Sequence, residues 1–277
     1  AQVLWDNGTL DLLVKDEVEA ARASRQLLSY FQGRTPDAGA ADQRRLRHLI
    51  PENRLRIYDI RQVIETLADP GSFLELRGGF GRGMITGFLR VGGRPLGLIA
   101  NDPKHLGGAI DADGSDKAGR FLQLCDAFDL PLLSLIDTPG FMVGPEAERQ
   151  GAVRRSSSFF NAFASISVPV IALVLRKAYG LGAQAMAGGS LVEPAMIAAW
   201  PTGEFGPMGL EGAVRLGFRK ELEAETDPAK QKALFDKLVA NLYAKGKAEQ
   251  VAEVLEIDAV IDPTDSRTFI LKAFTAC

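Results

Sequence analysis

The chain has 277 residues, 46% hydrophobic and 24% charged, and its 32 basic and 35 acidic side chains leave a net charge of −3. These are the proportions of an ordinary globular chain, which exclude a fibre or a disordered tail and supply no basic surplus for nucleic acid. No apolar run reaches the roughly 20 residues of a membrane helix. The two cysteines, Cys125 and Cys277, build no disulfide framework, so a reducing cytosol is the expected compartment. The two histidines, His48 and His105, are too few and too far apart for a His-rich metal site, and no metal is expected. Glycine stands out: there are 29, and twelve of them fall between Gly78 and Gly119.

In chain order, Ala1 to Val14 reads as the end of a strand, a turn at Asn7-Gly8 and a further strand over Thr9–Val14. Asp16 then caps a helix that carries Val18, Ala21, Leu27, Leu28 and Phe31 near one face, with Gly33 at its C-terminal end. This segment has no core of its own. It either packs on the main body of the chain or is the tail of another domain. Residues 32–56 hold Gly, Pro, Asp and Arg with little apolar periodicity and read as a linker or an exposed excursion, with Arg44, Arg45 and Arg47 a solvated face.

From Tyr58 the pattern becomes regular. Asp59 caps a helix through Ile60, Val63, Ile64 and Leu67, and Phe73–Leu76 forms a short strand. Two strands, 83–91 and 94–100, are joined at Gly92-Gly93, a turn that accepts positive φ. Ser115 is the expected cap of a helix through Phe121, Leu122, Cys125 and Phe128. Buried strands come next at Pro131–Ile136, Val168–Leu175 and Ala195–Ala199, and each leads through a loop into a helix. The tail from about Pro228 is helical and charged, with one short strand at Ile257–Ile261. Apolar strands that alternate with helices predict an α/β fold with largely parallel strands covered on both faces. Ligands in such sheets bind at the C-terminal strand ends.

Several segments invite a functional reading. Gly78–Gly87 is rich in glycine but leads into a strand, and the chain holds neither a Walker motif nor GxGxxG opening a helix, so turns and close packing are favoured there. Asp137-Thr-Pro-Gly-Phe141 follows one buried strand and offers backbone N–H groups at Gly140 and Phe141. Tyr179-Gly-Leu-Gly-Ala-Gln-Ala-Met186 follows the next and opens a helix with unpaired donors. Each could be tight helix–sheet packing. Paired on adjacent strands, they suggest an oxyanion hole. Cys125 reads as core and His105 as structural or solvent-facing, so no nucleophile–His pair is expected. Asp137 orients its own turn, and Glu204 faces solvent or an interface.

Taken in order, Tyr58-Asp-Ile-Arg-Gln-Val-Ile64, Gly71–Glu75, Ile99-Ala-Asn101, Ser115–Phe121, Leu135–Phe141, Arg176–Gly180 and Trp200-Pro-Thr-Gly-Glu204 resemble the biotin-dependent carboxyltransferases of acyl-CoA carboxylases. The resemblance implies a crotonase-like spiral of ββα units with a helical C-terminal tail. It implies that residues 1–56 are the tail of an N-terminal carboxyltransferase domain plus linker, and 57–277 the C-terminal domain. It also implies transfer of CO2 from carboxybiotin to the α-carbon of an acetyl- or propionyl-like acyl-CoA. Gly180, Leu181, Gly182, Gly140 and Phe141 are the implied catalytic backbone, and Tyr179, Gln184 and Met208 the substrate-binding residues. In the family no His base is needed, because released biotin can take the α-proton. Leu181 stands where Gly is frequent and Gln184 where propionyl-type enzymes often carry Asp, so the acyl chain stays open. The implied partners are a biotin carboxyl carrier, a biotin carboxylase and further copies that pair N- with C-domains. A crotonase-type hydratase, isomerase or decarboxylase is the alternative, although Gln184 and Ala185 stand where such enzymes usually place a carboxylate. A non-catalytic assembly module is the other, and the isolated chain is expected to be inactive.

Overall fold

The computed structural model describes residues 1–276. Its first elements are α1 (Gln2–Asp6) and α2 (Glu17–Tyr30). The two expected strands are absent here: residues 2–6 are helical and residues 9–14 form no ladder. A strand exists only where a neighbour pairs with it, and this stretch is tied to the body by Arg77 N–H donating to Asp11 O at 2.7 Å and by the Asp11–Arg77 ion pair at 2.7 Å. Asp16 caps α2 by accepting from Glu19 N–H at 2.8 Å. The helix packs on the body through Leu27, Phe31 and the buried Tyr30, whose ring stacks on Phe88 at 5.4 Å.

Residues 32–56 are not a free linker. Leu46, on α3 (Leu46–Leu49), and Ile50 are buried in the core, and Arg47 pairs with Asp262 at 2.8 Å. So few apolar anchors leave no periodicity to read. Asp59 caps α4 (Ile60–Leu67) as expected. Then come β1 (Leu74–Leu76), β2 (Met84–Val91) and β3 (Arg94–Asn101), joined as an antiparallel meander with the predicted turn at Gly92 (φ 60°) and Gly93 (φ 75°). Helix α5 (Ala112–Ala127) starts before the expected Ser115. Asp111 takes the cap by accepting from Gly114 N–H at 2.7 Å, and the Ser115 hydroxyl donates back to Asp111 O at 2.9 Å.

The parallel part comprises β4 (Leu132–Thr138), α6 (Pro145–Arg149), α7 (Ala152–Ser165), β5 (Val170–Tyr179), α8 (Gly180–Met186), β6 (Met196–Ala199) and β7 (Glu204–Gly206). The tail holds α9 (Leu210–Gly217), α10 (Arg219–Ala224), α11 (Pro228–Lys245), α12 (Ala248–Glu253), β8 (Ala259–Val260) and α13 (Ser266–Ala276). The sheet order is β1-β2-β3-β4-β5-β6-β8, and β7 adds to β5 beyond the end of β6.

Two-residue alternation explains why the inner strands read as solid apolar runs. On β5, Val170, Ala172 and Val174 join the core under α5, α7 and α8, while Ile171, Leu173 and Leu175 join the opposite core with α4 and α13. β4 divides in the same way, Leu132 and Ile136 to one side, Leu133 and Leu135 to the other. With both faces filled, the C-terminal strand ends are left as the edge where loops gather.

Candidate active site

The site is built where β4 and β5 stop. β5 was expected to end before Arg176, yet it continues to Tyr179 because β7 pairs with it at Lys177, Ala178 and Tyr179. Gly180 then turns at φ 55°, and a Cβ there would lie 2.6 Å from Pro207 O. Helix α8 begins at once. The amides of Gly180, Leu181 and Gly182 precede its first i→i−4 bond, and among the described residues no side chain caps them. The β4 side turns at Gly140, φ 120°. A Cβ on Gly182 would lie 2.6 Å from Gly140 Cα and 3.2 Å from Phe141 N, so the two turns meet backbone to backbone.

The bonding around this meeting point separates used donors from free ones. Gly140 N–H donates to Thr138 Oγ1 at 3.1 Å, and Gly140 O accepts from Ile110 N–H at 3.0 Å. The expectation that the Gly140 amide is bare is therefore corrected: its contribution is the turn itself. Met142 N–H donates to Ile110 O at 2.8 Å, while the Phe141 amide between them donates to no group among the described residues. The free donors are thus Phe141 on one strand end and Leu181 and Gly182 on the other. The Leu181 side chain is 63% exposed and points away from the protein.

The other predicted site residues are placed differently. Tyr179 is buried, 2% exposed, so its side chain braces the turn from behind rather than lining an open face. Gln184 is exposed and, with Gly180, Ala183, Phe205 and Pro207, lines a cleft of ≈ 360 Å³. Met208 is 39% exposed beyond β7, with its backbone beside Gly206.

A buried charge cluster holds the β4 turn. Asp137 is fully buried and accepts from the Arg176 guanidinium at 3.1 Å and from Lys177 N–H at 3.1 Å. Its own N–H donates to Asn101 Oδ1 at 3.1 Å. The Lys177 ammonium lies 3.8 Å from Asp137 Oδ1 and donates to Gly107 O, tying down the loop that carries Ile110. Burial pushes Lys177 below the ordinary lysine range, and Asp137 opposes that shift. Two cations facing one carboxylate leave the rear of the site positive, which favours negative charge at the donors. Sequence reasoning assigned Asp137 a turn-orienting role and missed the Arg176–Lys177 clamp; two cations at the end of an apolar strand were the available signal.

Glu204 is corrected most. It is 1% exposed, not solvent-facing, because β7 lies between β5 and the segment at Lys247. Burial raises its carboxyl above the ordinary range, and Arg54, 3.7 Å away, opposes this. Cys125 is core, with its thiol pushed up by burial, and His105 sits 3.4 Å from Asp111.

Bare amides that converge from a loop and a helix start suit an oxygen on which negative charge develops. The family described as carboxyl transferase domain matches the chain over residues 1–277. A putative propionyl-CoA carboxylase beta chain of Bacillus subtilis is 38% identical over 267 residues, covering 93% of this chain and 51% of the relative. The methylmalonyl-CoA carboxyltransferase 12S subunit of Propionibacterium freudenreichii is 35% identical over 275 residues, 96% of this chain and 52% of the relative. Among solved structures, a single-chain, multi-domain long-chain acyl-CoA carboxylase superposes with a TM-score of 0.91 at 53% identity, covering 98% of this chain and 26% of that one. The transcarboxylase 12S hexamer gives a TM-score of 0.88 at 32% identity, covering 100% of this chain and 54% of that one. The fold is the crotonase-like one that these neighbours share. The chain spans about half the length of the curated relatives it matches.

Proposed function

Because the chain belongs to the carboxyl transferase domain family, we propose that it is the part of an acyl-CoA carboxyltransferase that receives carboxybiotin. One observation carries the reading: the backbone contact of Gly182 with Gly140 sets the free amides of Phe141, Leu181 and Gly182 side by side. In this reading residues 57–277 are the catalytic C-terminal domain, and 1–56 connect it to a domain that holds most of coenzyme A.

When bound, carboxybiotin supplies the activated carboxyl group. The donors fit its ureido carbonyl, an acceptor with two lone pairs that a pair of amides can satisfy. Phe141 N–H and an amide of the Leu181–Gly182 pair bind that oxygen and favour negative charge on it. Arg176, Lys177 and Asp137 hold the loop so that the donors need not reorganise during reaction. The cleft beside Gln184 faces the acyl chain of an acetyl- or propionyl-type CoA. A biotin carrier protein or domain, a biotin carboxylase and further copies of this chain are the proposed partners, in the cytoplasm.

The test is transfer of the carboxyl group from malonyl- or methylmalonyl-CoA to free biotin by the intact enzyme. Transfer is expected, with no hydration of an enoyl-CoA. Hydration without transfer would contradict the reading.

A further inference from the structure

Among the described residues, seven buried side-chain atoms lack a hydrogen-bond partner, and five of them belong to Tyr58, Asn101, Tyr179 and Glu204. These residues gather behind the donor turn. Asn101 spends its oxygen on Asp137 N–H, the Arg176 guanidinium lies 4.9 Å over the Tyr58 ring, and the Tyr179 hydroxyl and Glu204 carboxyl face each other closely enough to shift one another's titration. Buried polar groups are normally paired. A cluster of orphans therefore marks polar groups that are held for buried water or for the neighbouring site.

Glu204 is the extreme member. Both of its oxygens lack a partner at 1% exposure, and its nearest cation, Arg54, is also bonded to Glu211. It stands opposite Lys177 in the β5–β7 register. Two residues along, Tyr179 pairs with Gly206, and the next residue, Pro207, sets its carbonyl against Gly180. Any movement of β7 is therefore passed to the first residue of the donor turn.

We propose that Glu204 is a positioning residue for the donor turn Gly180–Gly182, acting through Tyr179 and through the β7 strand that braces it. The inference rests on the reading of that turn as the oxyanion donor. A neutral carboxyl can donate one hydrogen bond and accept another, and so it shares a neutral pair with the Tyr179 hydroxyl and buried water. Burial favours that form, and it holds the Tyr179 hydroxyl protonated as well. The charged and titratable groups that face Glu204 are Arg54 before α4, Asp137 on β4 and Arg176, Lys177 and Tyr179 on β5; Glu211 on α9 competes for Arg54. An ionised Glu204 draws Arg54 inward from Glu211 and strains β7. Because the folded state holds this proton more tightly than the unfolded chain, the braced arrangement weakens as pH rises through the folded value.

The experiment compares Glu204→Gln and Glu204→Ala in the intact enzyme. The Gln side chain has the shape of the neutral acid. It is expected to keep kcat within about twofold and to remove the decline of kcat with rising pH that Glu204 carries. The Ala variant is expected to lose about tenfold in kcat with little change in KM for the acyl-CoA. Infrared difference spectra of wild type against Glu204→Gln should show one protonated carboxyl band that disappears as pH rises. A Gln variant as impaired as Ala, an Ala variant with unchanged kcat and pH profile, or absence of the band would overturn the proposal. The infrared readout does not depend on carboxyl transfer, so an enzyme that fails to transfer carboxyl refutes the proposed function while the band still decides the state of Glu204.

Discussion

The glycines around the β2–β3 hairpin and those at the ends of β4 and β5 both exclude side chains, but what excludes them differs. Near the hairpin, the missing Cβ atoms are replaced mainly by other parts of the chain that fill the space. Gly79 is covered by the Trp5 ring, Gly97 by the Cys125 sulfur, and Gly92 by Leu271 at 2.8 Å. At the strand ends, Gly182 meets only the backbone of Gly140 and Phe141, and Gly180 meets Pro207 O, while Leu181 beside them stays exposed. The first group closes the core. The second brings backbone donors together and leaves them uncovered. The density of glycine in the sequence points to the first group, whereas the exposed, unpaired amides single out the second.

The sharpest way to break the comparison is Gly182→Val. Its branched side chain must part the two strand ends, and loss of one positioned donor typically lowers kcat by about 100-fold or more. We expect that loss per folded enzyme together with a lowered melting temperature, since the new Cβ meets backbone at 2.6 Å, read by carboxyl transfer beside a melting curve. Unchanged kcat would move Gly182 into the packing class.

Lys117 tests the hairpin side. It is 1% exposed, donates to Arg77 O at 2.9 Å and Phe80 O at 3.0 Å, and so holds the glycine-rich turn onto α5. Burial lowers its pKa from 10.5 to about 8. Below the folded value the fold carries a buried ammonium. Between about 8 and 10.5 the unfolded chain binds more protons than the folded one, so stability rises with pH across that window. The gain is on the order of 3 kcal/mol, measurable by urea unfolding at a series of pH values and absent in Lys117→Met.

Gly93→Ala comes next. Gly93 has φ 75°, lies against Thr35 O and donates its N–H to Asp69 at 2.7 Å. A side chain there is expected to cost about 1–3 kcal/mol, with carboxyl transfer per folded enzyme unchanged. The smallest effect is Cys125→Ala, a loss of about 1 kcal/mol without loss of activity. The native thiol should also resist iodoacetamide, since burial keeps it protonated.

Much of the fold was legible because its signals are local. β4 and β5 show as apolar runs, Asp16 and Asp59 as helix caps, and Gly92-Gly93 as a hairpin turn. What was missed depends on partners far along the chain. β7 is three residues with no apolar run of its own, and it is a strand only because β5 extends past β6 to meet it. The burial of Glu204 results from that pairing. Thr9–Val14 has strand-like residues, but its backbone meets the body at Asp11 and Arg77, past the end of the edge strand β1, and builds no ladder there. At the site, small residues at a strand-to-helix junction marked the α8 turn. Nothing local revealed that Thr138 would take the Gly140 amide and leave Phe141 as the donor.

The most direct measurement of the central claim is a structure of the intact enzyme with biotin bound. The ureido oxygen should lie about 2.7–3.1 Å from Phe141 N and from one amide of the Leu181–Gly182 pair. Biotin bound elsewhere, or with that oxygen turned from both strand ends, would contradict the account.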